Sequence, residues 1–320
     1  MIDLGLSDDQ RQIVDGVVAL LQENCPVSRL RPSAAPSDVH RRLAEWGWFG
    51  AALPEHDGGL GLGVAEEVLL YFEAGRFLLS PSVLATTLAA RLTGGDERKA
   101  LCAGDRRAAL VLSLGGDEAY CIDGAGAQVL IAIRTDEIVI LPAEAFSGEP
   151  VVGLDETVAL ERGRLDHGLR RGGERTHVGV LLGAAMLAGV SRAVCDLAVD
   201  YAKVREQFGQ PIGAFQAIKH LCADMGLNAY AAEAQVKAAA AAAASTPRDA
   251  AFQIAAAAAT AMAAARANGS IAIQVHGGIG FTAEADVHVY LKRAHLLSGV
   301  LGGLEEQHRW LLNCPPPQMA

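Results

Sequence analysis

The chain has 320 residues, of which 51% are hydrophobic and only 5% aromatic, and it carries a formal net charge of −10. That length allows two or three structural units around a shared core, and a core made mainly of Ala, Leu and Val favours helix, where Ala gives up no side-chain entropy. An acidic balance with no cluster of Lys or Arg argues against nucleic acid and anionic membrane surfaces as partners.

Taken in chain order, Ser7 ahead of Asp8, Asp9 and Gln10 predicts a capped first helix, with Gln10 closing a capping box. Its apolar stripe is Ile13, Val14, Val17, Val18, Leu20 and Leu21. A Pro-rich loop around Pro32 and Pro36 ends it, and a second helix runs to Trp46. Further helices are expected over 65–77 and 81–92. From about Ala108, short apolar runs at 109–112, 127–133 and 137–141 are separated by Gly and Asp and read as strands. This β region is too small for a self-standing barrel and should lean on the helices.

Helices return near His177. Tyr201, Val204 and Phe208 share one helical face, with Gly209-Gln210-Pro211 as the stop. The Ala-rich runs 231–244 and 250–275 should form a close antiparallel pair, with Pro247 in the first turn of the second and Ser245 or Thr246 capping it. The apolar run 178–190 is too short to span a bilayer, and 250–267 carries Gln253, Thr260 and Arg266. Cys25, Cys102, Cys121, Cys195, Cys222 and Cys314 show no C-x-x-C pair and no metal-ligand spacing. With no secretory leader evident, the expectation is reduced thiols in a cytoplasmic protein.

Two segments carry chemistry: Arg205-Glu206-Gln207-Phe208-Gly209-Gln210-Pro211-Ile212 and Gln274-Val275-His276-Gly277-Gly278-Ile279-Gly280-Phe281. Each has a bland reading on its own. Arg205 is a cation at a helix C-terminus, favourable by about 0.3–1 kcal/mol, and two glycines after a helix are a C-cap and a turn. The functional reading is a planar donor fork for phosphate oxygens, and a backbone without Cβ atoms that lets a diphosphate reach peptide N–H groups.

In combination and in this order, Arg205 to Met225 and Gln274 to Ala294 resemble the flavin-contacting signatures of the acyl-CoA dehydrogenase family. The Leu53-Pro54-Glu55-His56-Asp57-Gly58-Gly59-Leu60-Gly61 stretch extends the resemblance to the N-terminal region, and it is thin in the middle. The resemblance implies a mostly α fold with a small β region. An N-terminal helical domain would span 1–107, a reduced middle β domain 108–166, and a C-terminal four-helix bundle with the FAD-contacting motifs 167–320. It implies FAD as cofactor, with Arg205 on the pyrophosphate, Phe208 flanking the flavin nucleotide and Gln216 hydrogen-bonded to it. Gln274 and the backbone of Val275, His276, Gly277 and Gly278 would hold the ADP portion. In the family these groups reach across a dimer interface to an FAD seated mainly on the neighbouring subunit.

The family reaction takes an α-proton from a CoA thioester, and its base is a carboxylate within reach of that carbon. Most members place it in a Glu-Gly pair about two dozen residues after the Gly-Gly, which here is Leu301-Gly302. A minority place it 22 residues before the equivalent of Tyr201, which here is Gly179. The family's flavin-facing Thr-Glu-Pro-x-x-Gly-Ser-Asp loop has no match either; Ser113-Leu114-Gly115-Gly116-Asp117 is a poor echo. No catalytic residue is therefore assigned. Glu305, one turn beyond Leu301, is a weak substitute, with Glu306, Glu161 and Glu174 as other acids for which, as for Glu305, an ordinary solvated carboxylate is the simpler reading.

The resemblance thus implies a base-free subunit in a heteromeric α2β2 enzyme whose larger chain carries the catalytic Glu, as in actinobacterial members that shorten sterol side chains. Its substrate would be an acyl-CoA, sterol-derived by analogy, and its electron acceptor an electron-transfer flavoprotein. Two alternatives stand beside it: a homomeric enzyme with a displaced carboxylate, and a flavin-free scaffold that stabilises a catalytic partner.

Overall fold

The computed structural model describes residues 5–31, 38–135, 137–170, 172–174, 177–245 and 247–315. The Pro32/Pro36 loop and the Thr246 cap lie outside them. The Ser7 cap forms as the spacing predicts: Ser7 Oγ accepts the Gln10 N–H and the Gln10 side chain accepts the Ser7 N–H, both at 3.1 Å, at the head of α1 (Asp8–Asn24). Helices α2 (Val39–Trp46), α3 (Val64–Arg76) and α4 (Pro81–Leu92) follow close to the expected places. A short polar helix, α5 (Gly95–Cys102), was not foreseen, because Leu101 is its sole buried residue. By contrast α4 is buried on nearly every side, which suits a central helix.

The middle region is a seven-stranded sheet. Its strands are β1 (Ala108–Gly115), β2 (Glu118–Ile122), β3 (Val129–Ile133), β4 (Ile138–Pro142), β5 (Phe146–Val151), β6 (Leu160–Leu165) and β7 (Gly172–Glu174). They lie in the order β5-β6-β2-β1-β3-β4-β7, with β1 and β3 parallel and the other neighbours antiparallel. Apolar runs betrayed β1, β3 and β4. The others escape such a search because β2, β5 and β6 interrupt their apolar residues with polar ones or glycine, while β7 is three residues placed beyond 166. The pleat divides the side chains: Leu110, Ile131 and Ile140 join the helical core, whereas Val111, Leu130 and Leu141 pack on the opposite face.

The C-terminal bundle is built from α6 (Val178–Val204), α7 (Gln216–Ser245), α8 (Pro247–His276), α9 (Val287–Val300) and α10 (Gly303–Asn313). Between α6 and α7 lies a small hairpin of β8 (Glu206–Gln207) and β9 (Gln210–Pro211). The α7–α8 pair is antiparallel, since Gln235 bonds Gln253 and Asn228 bonds Asn268. Helix α7 starts fifteen residues before the Ala-rich run that first marked it.

Backbone contact joins the N-terminal helices to the bundle. A Cβ on Gly75 of α3 would sit 1.9 Å from the Met186 carbonyl oxygen, and one on Gly189 of α6 would sit 1.9 Å from the Phe72 oxygen. Only glycine at both places permits that approach. Helix α6 and the stretch 249–281 are long and apolar enough to cross a membrane, yet 89% of the apolar window in α6 is buried within the protein. All six cysteines are free thiols.

Candidate functional site

Helix α6 stops at Val204, earlier than the sequence suggests, so Phe208 is not on its face. Arg205 is the C-cap, donating its N–H to Tyr201 O at 2.9 Å while its carbonyl accepts from Ile212 N–H at 2.7 Å. Its side chain is exposed and makes no ion pair among the described residues. Phe208 and Gly209 turn the β8–β9 hairpin with φ of +55° and +81°. Two positive φ values mark the primed turn that suits the twist of a two-residue hairpin. Glycine adopts that conformation freely, whereas for Phe208 it costs about 1–2 kcal/mol. Burial offsets little of this, because Phe208 is 94% exposed and meets Phe215 edge-on at 6.1 Å. A strained aromatic held in solvent is what a binding group looks like. Gln216, also exposed, opens α7.

The second segment ends α8. Gln274 is exposed and Val275 buried. The His276 ring stacks on Tyr201, with centroids 4.2 Å apart and planes 17° from parallel. His276 Nδ1 lies 2.8 Å from the Ala272 carbonyl oxygen, which can only accept, so Nδ1 carries the proton. Burial pulls the His276 pKa below its ordinary value against the opposing effect of that hydrogen bond, and the ring is neutral at neutral pH. Gly277 has φ +64°, and a Cβ on either Gly277 or Gly278 would meet nothing within 4 Å.

The stack therefore unites the two segments. It joins the turn of α6 just before Arg205 to the residue just before Gly277. A guanidinium without an ion-pair partner among the described residues, an exposed ring and open glycine backbone fit a large, planar, diphosphate-bearing group such as FAD. Among the described residues no group of three His, Cys, Asp or Glu side chains is placed to hold a metal.

The two positions where the base would stand also converge. Leu301 is 3% exposed, and its Cδ2 lies 2.7 Å from where a Cβ on Gly183 would project. Gly179, one turn earlier on α6, is buried, with Leu88 and Ile133 3.3 Å from its own missing Cβ. The site of both acids is thus an apolar seam. Beside it is a cavity of about 400 Å³ against the sheet, bounded by Leu112, Ile133, Thr135, His167, Leu301 and Glu306 among others.

Helical spacing had set Glu305 on the Leu301 face, but Gly302 and Gly303, at φ +82° and +80°, break the chain between α9 and α10. Glu305 is consequently 91% exposed and held by Arg309 at 3.0 Å. It is Glu306 that lines the cavity, accepting from Thr135 Oγ1 at 3.1 Å and pairing with Arg309. Glu161 sits in β6 opposite Cys121 and is not among the residues lining this cavity, and the side chain of Glu174 lies outside the described residues.

Arg293, inside the second motif, serves the interior rather than the Gln274–Gly278 end. Its Nε donates to Asp155 at 2.6 Å, Nη1 to Leu79 O at 2.6 Å and Nη2 to Thr157 Oγ1 at 2.7 Å, with both charged side chains 1% exposed. The signal available in the sequence was an Arg one helical turn from Val289, Tyr290, Leu296 and Leu297 on α9.

Descriptions of two acyl-CoA dehydrogenase domains match the chain, the N-terminal domain over residues 7–99 and the C-terminal domain over 166–312. Acyl-CoA dehydrogenase FadE34 of Mycobacterium tuberculosis is 39% identical over 302 residues; the match takes in 85% of this chain but 41% of FadE34, so the chain spans less than half of that relative. Acyl-CoA dehydrogenase IpdE2 of the same organism is 33% identical over 90% of this chain and 91% of its own length. Among solved structures, a chain of the ChsE4-ChsE5 complex from M. tuberculosis superposes with a TM-score of 0.78 at 22% identity, covering 98% of this chain and 100% of that one. The fold, the two sequence motifs and these likenesses agree: the chain belongs to the acyl-CoA dehydrogenase family.

Proposed function

We propose that this chain is the base-free subunit of a heteromeric, FAD-dependent acyl-CoA dehydrogenase that forms an α,β double bond in a CoA thioester. One observation carries the reading: Leu301 packs against Gly183, and one turn away Leu88 and Ile133 close on Gly179, so both base positions are set in hydrocarbon, while Arg205, Phe208, Gln216 and Gln274 stay exposed. A carboxylate that must accept a proton has no place there, but a cofactor on a neighbouring chain can be reached. In this reading residues 1–107, 108–166 and 167–320 are the three domains, and the assembly is α2β2.

When bound, FAD supplies the acceptor for the hydride that leaves the thioester β-carbon. The residues of this chain bind and orient. Arg205 offers a two-pronged donor to the pyrophosphate, Phe208 covers the flavin nucleotide, Gln216 hydrogen-bonds it, and Gln274 with the Val275–Gly278 backbone holds the ADP end. The partner chain brings the Glu that takes the α-proton. By analogy with split members of the family the thioester is sterol-derived, electrons leave to an electron-transfer flavoprotein, and the assembly is cytoplasmic.

Native mass spectrometry of the protein from its own host tests this. A heteromer with one FAD for every two chains is expected; a homomer with one FAD per chain refutes it. A homomer would direct attention to a displaced carboxylate, and the lining of the cavity beside Leu301 favours Glu306 over Glu305 as that group. A heteromer wholly without flavin would leave the scaffold role.

A further inference from the structure

We infer that Tyr201 and the ring of His276 are a positioning pair for the cofactor segments, holding the Arg205 hairpin and the Gly277-Gly278 turn at a fixed separation and tilt. This deepens the reading of those segments as FAD contacts and rests on it.

Four observations carry it. Tyr201 accepts the backbone N–H of Arg205, so its carbonyl defines the turn from which Arg205 leaves α6. His276 immediately precedes Gly277, and Gly280 folds back on it: a Cβ on Gly280 would lie 3.0 Å from His276 Cβ and 2.9 Å from Ile273 O. The two rings overlap at 4.2 Å and 17°, and a flat-on-flat contact fixes angle as well as distance, as an aliphatic contact would not. The imidazole is itself immobilised by its Nδ1–H donated to Ala272 O at 2.8 Å. Displacing either ring therefore displaces one cofactor segment relative to the other. On this account His276 acts through its ring face and touches the cofactor, if at all, by its backbone.

The test uses the protein purified from its host with its native partners, stripped of flavin and titrated with FAD. Tyr201→Ala and His276→Ala should each weaken FAD binding by about 3- to 10-fold, the range a lost aromatic stack gives when its geometry is needed for binding. The double variant should be no weaker than the worse single one. His276→Phe restores a flat ring without its nitrogens and should return affinity to within about twofold. Melting of the flavin-free variants, measured in parallel, should not follow the order of their affinities.

The inference falls if His276→Phe binds as poorly as His276→Ala, which would make a ring nitrogen a direct ligand. It also falls if the two alanine effects multiply in the double variant. A third refuting pattern is unchanged FAD affinity in all of them while Arg205→Ala weakens it, which would reduce the stack to packing. If Arg205→Ala also leaves affinity unchanged, the cofactor reading itself fails, and that outcome is distinct from the other three.

Discussion

Replacing Arg293 by Leu should be among the most damaging single changes outside the hydrophobic core. The substitution removes the cation from a pair in which both side chains are 1% exposed, leaving the Asp155 carboxylate, among the described residues, with the Thr157 backbone N–H and hydroxyl. It also strips the Leu78 and Leu79 carbonyl oxygens of the Nη1 donor. Breaking a buried pair from one side costs about 3–5 kcal/mol, because a charge remains buried without compensation. Unfolding entropy of roughly 2.1 cal/mol/K per residue, taken over 320 residues, is about 0.7 kcal/mol/K, so the melting temperature should fall by about 4–7 °C. Calorimetry of the wild-type and variant assemblies measures this. The double variant Arg293→Leu/Asp155→Leu should recover most of the loss, since removing both charges is close to neutral. A single variant within about 1 kcal/mol of wild type, or a double variant no better than the single, would refute the argument.

Phe208→Asn, which converts the hairpin to an Asn-Gly turn, should leave the flavin-free protein as stable or up to about 1 kcal/mol more stable while weakening FAD binding; equal FAD affinity would deny Phe208 its role. Gly183→Ala should destabilise by about 1–3 kcal/mol through its clash with Leu301, and adding Leu301→Ala should relieve it; thermal melts that show no such rescue would mean the two do not share the seam. Burial raises the Glu67 pKa above its ordinary value despite the neighbouring Arg91. A folded pKa above the unfolded one gives stability that is complete below the unfolded value and is lost as pH rises through the folded one. Glu67→Gln should therefore remove a component of stability that declines with rising pH, so the wild-type-minus-variant difference shrinks between acid and neutral pH; a difference that grows with pH over that range contradicts this.

How much could be read beforehand depended on whether a signal was local. The Ser7–Gln10 cap, α4 with Pro81 at its start and the antiparallel α7–α8 pair each rest on neighbouring residues or on one uninterrupted run, and each formed as read. Strands β5 and β6 were invisible because, lacking an uninterrupted apolar run, they gain order from pairing across the sheet. The segments around Arg205 and Gly277 were legible as family motifs, but the left-handed Phe208 was not: a turn that ends α6 at Val204 overrides a pattern that would extend the helix. The Glu305 argument failed for a related reason. Helical spacing applies only while the helix continues, and Gly302-Gly303 interrupts it. The meeting of Tyr201 with His276 joins residues 75 positions apart and emerges only once α6 and α8 pack.

The glycine contacts between α3 and α6 bear on how such a protein can be cut or recombined. At Gly75 and Gly189 the two backbones lie so close that no side chain fits between them, and the surfaces match only in one register. A fragment beginning near residue 108 would present to water a trough along α6 cut to the shape of a missing helix, with Met186 and its neighbours uncovered. The N-terminal helices are in this sense part of the bundle's wall rather than a detachable module. A chimera that exchanges them between relatives should carry α3 and α6 across together, treating the two as one inherited unit although about a hundred residues, comprising α4, α5 and the sheet, separate them in the chain.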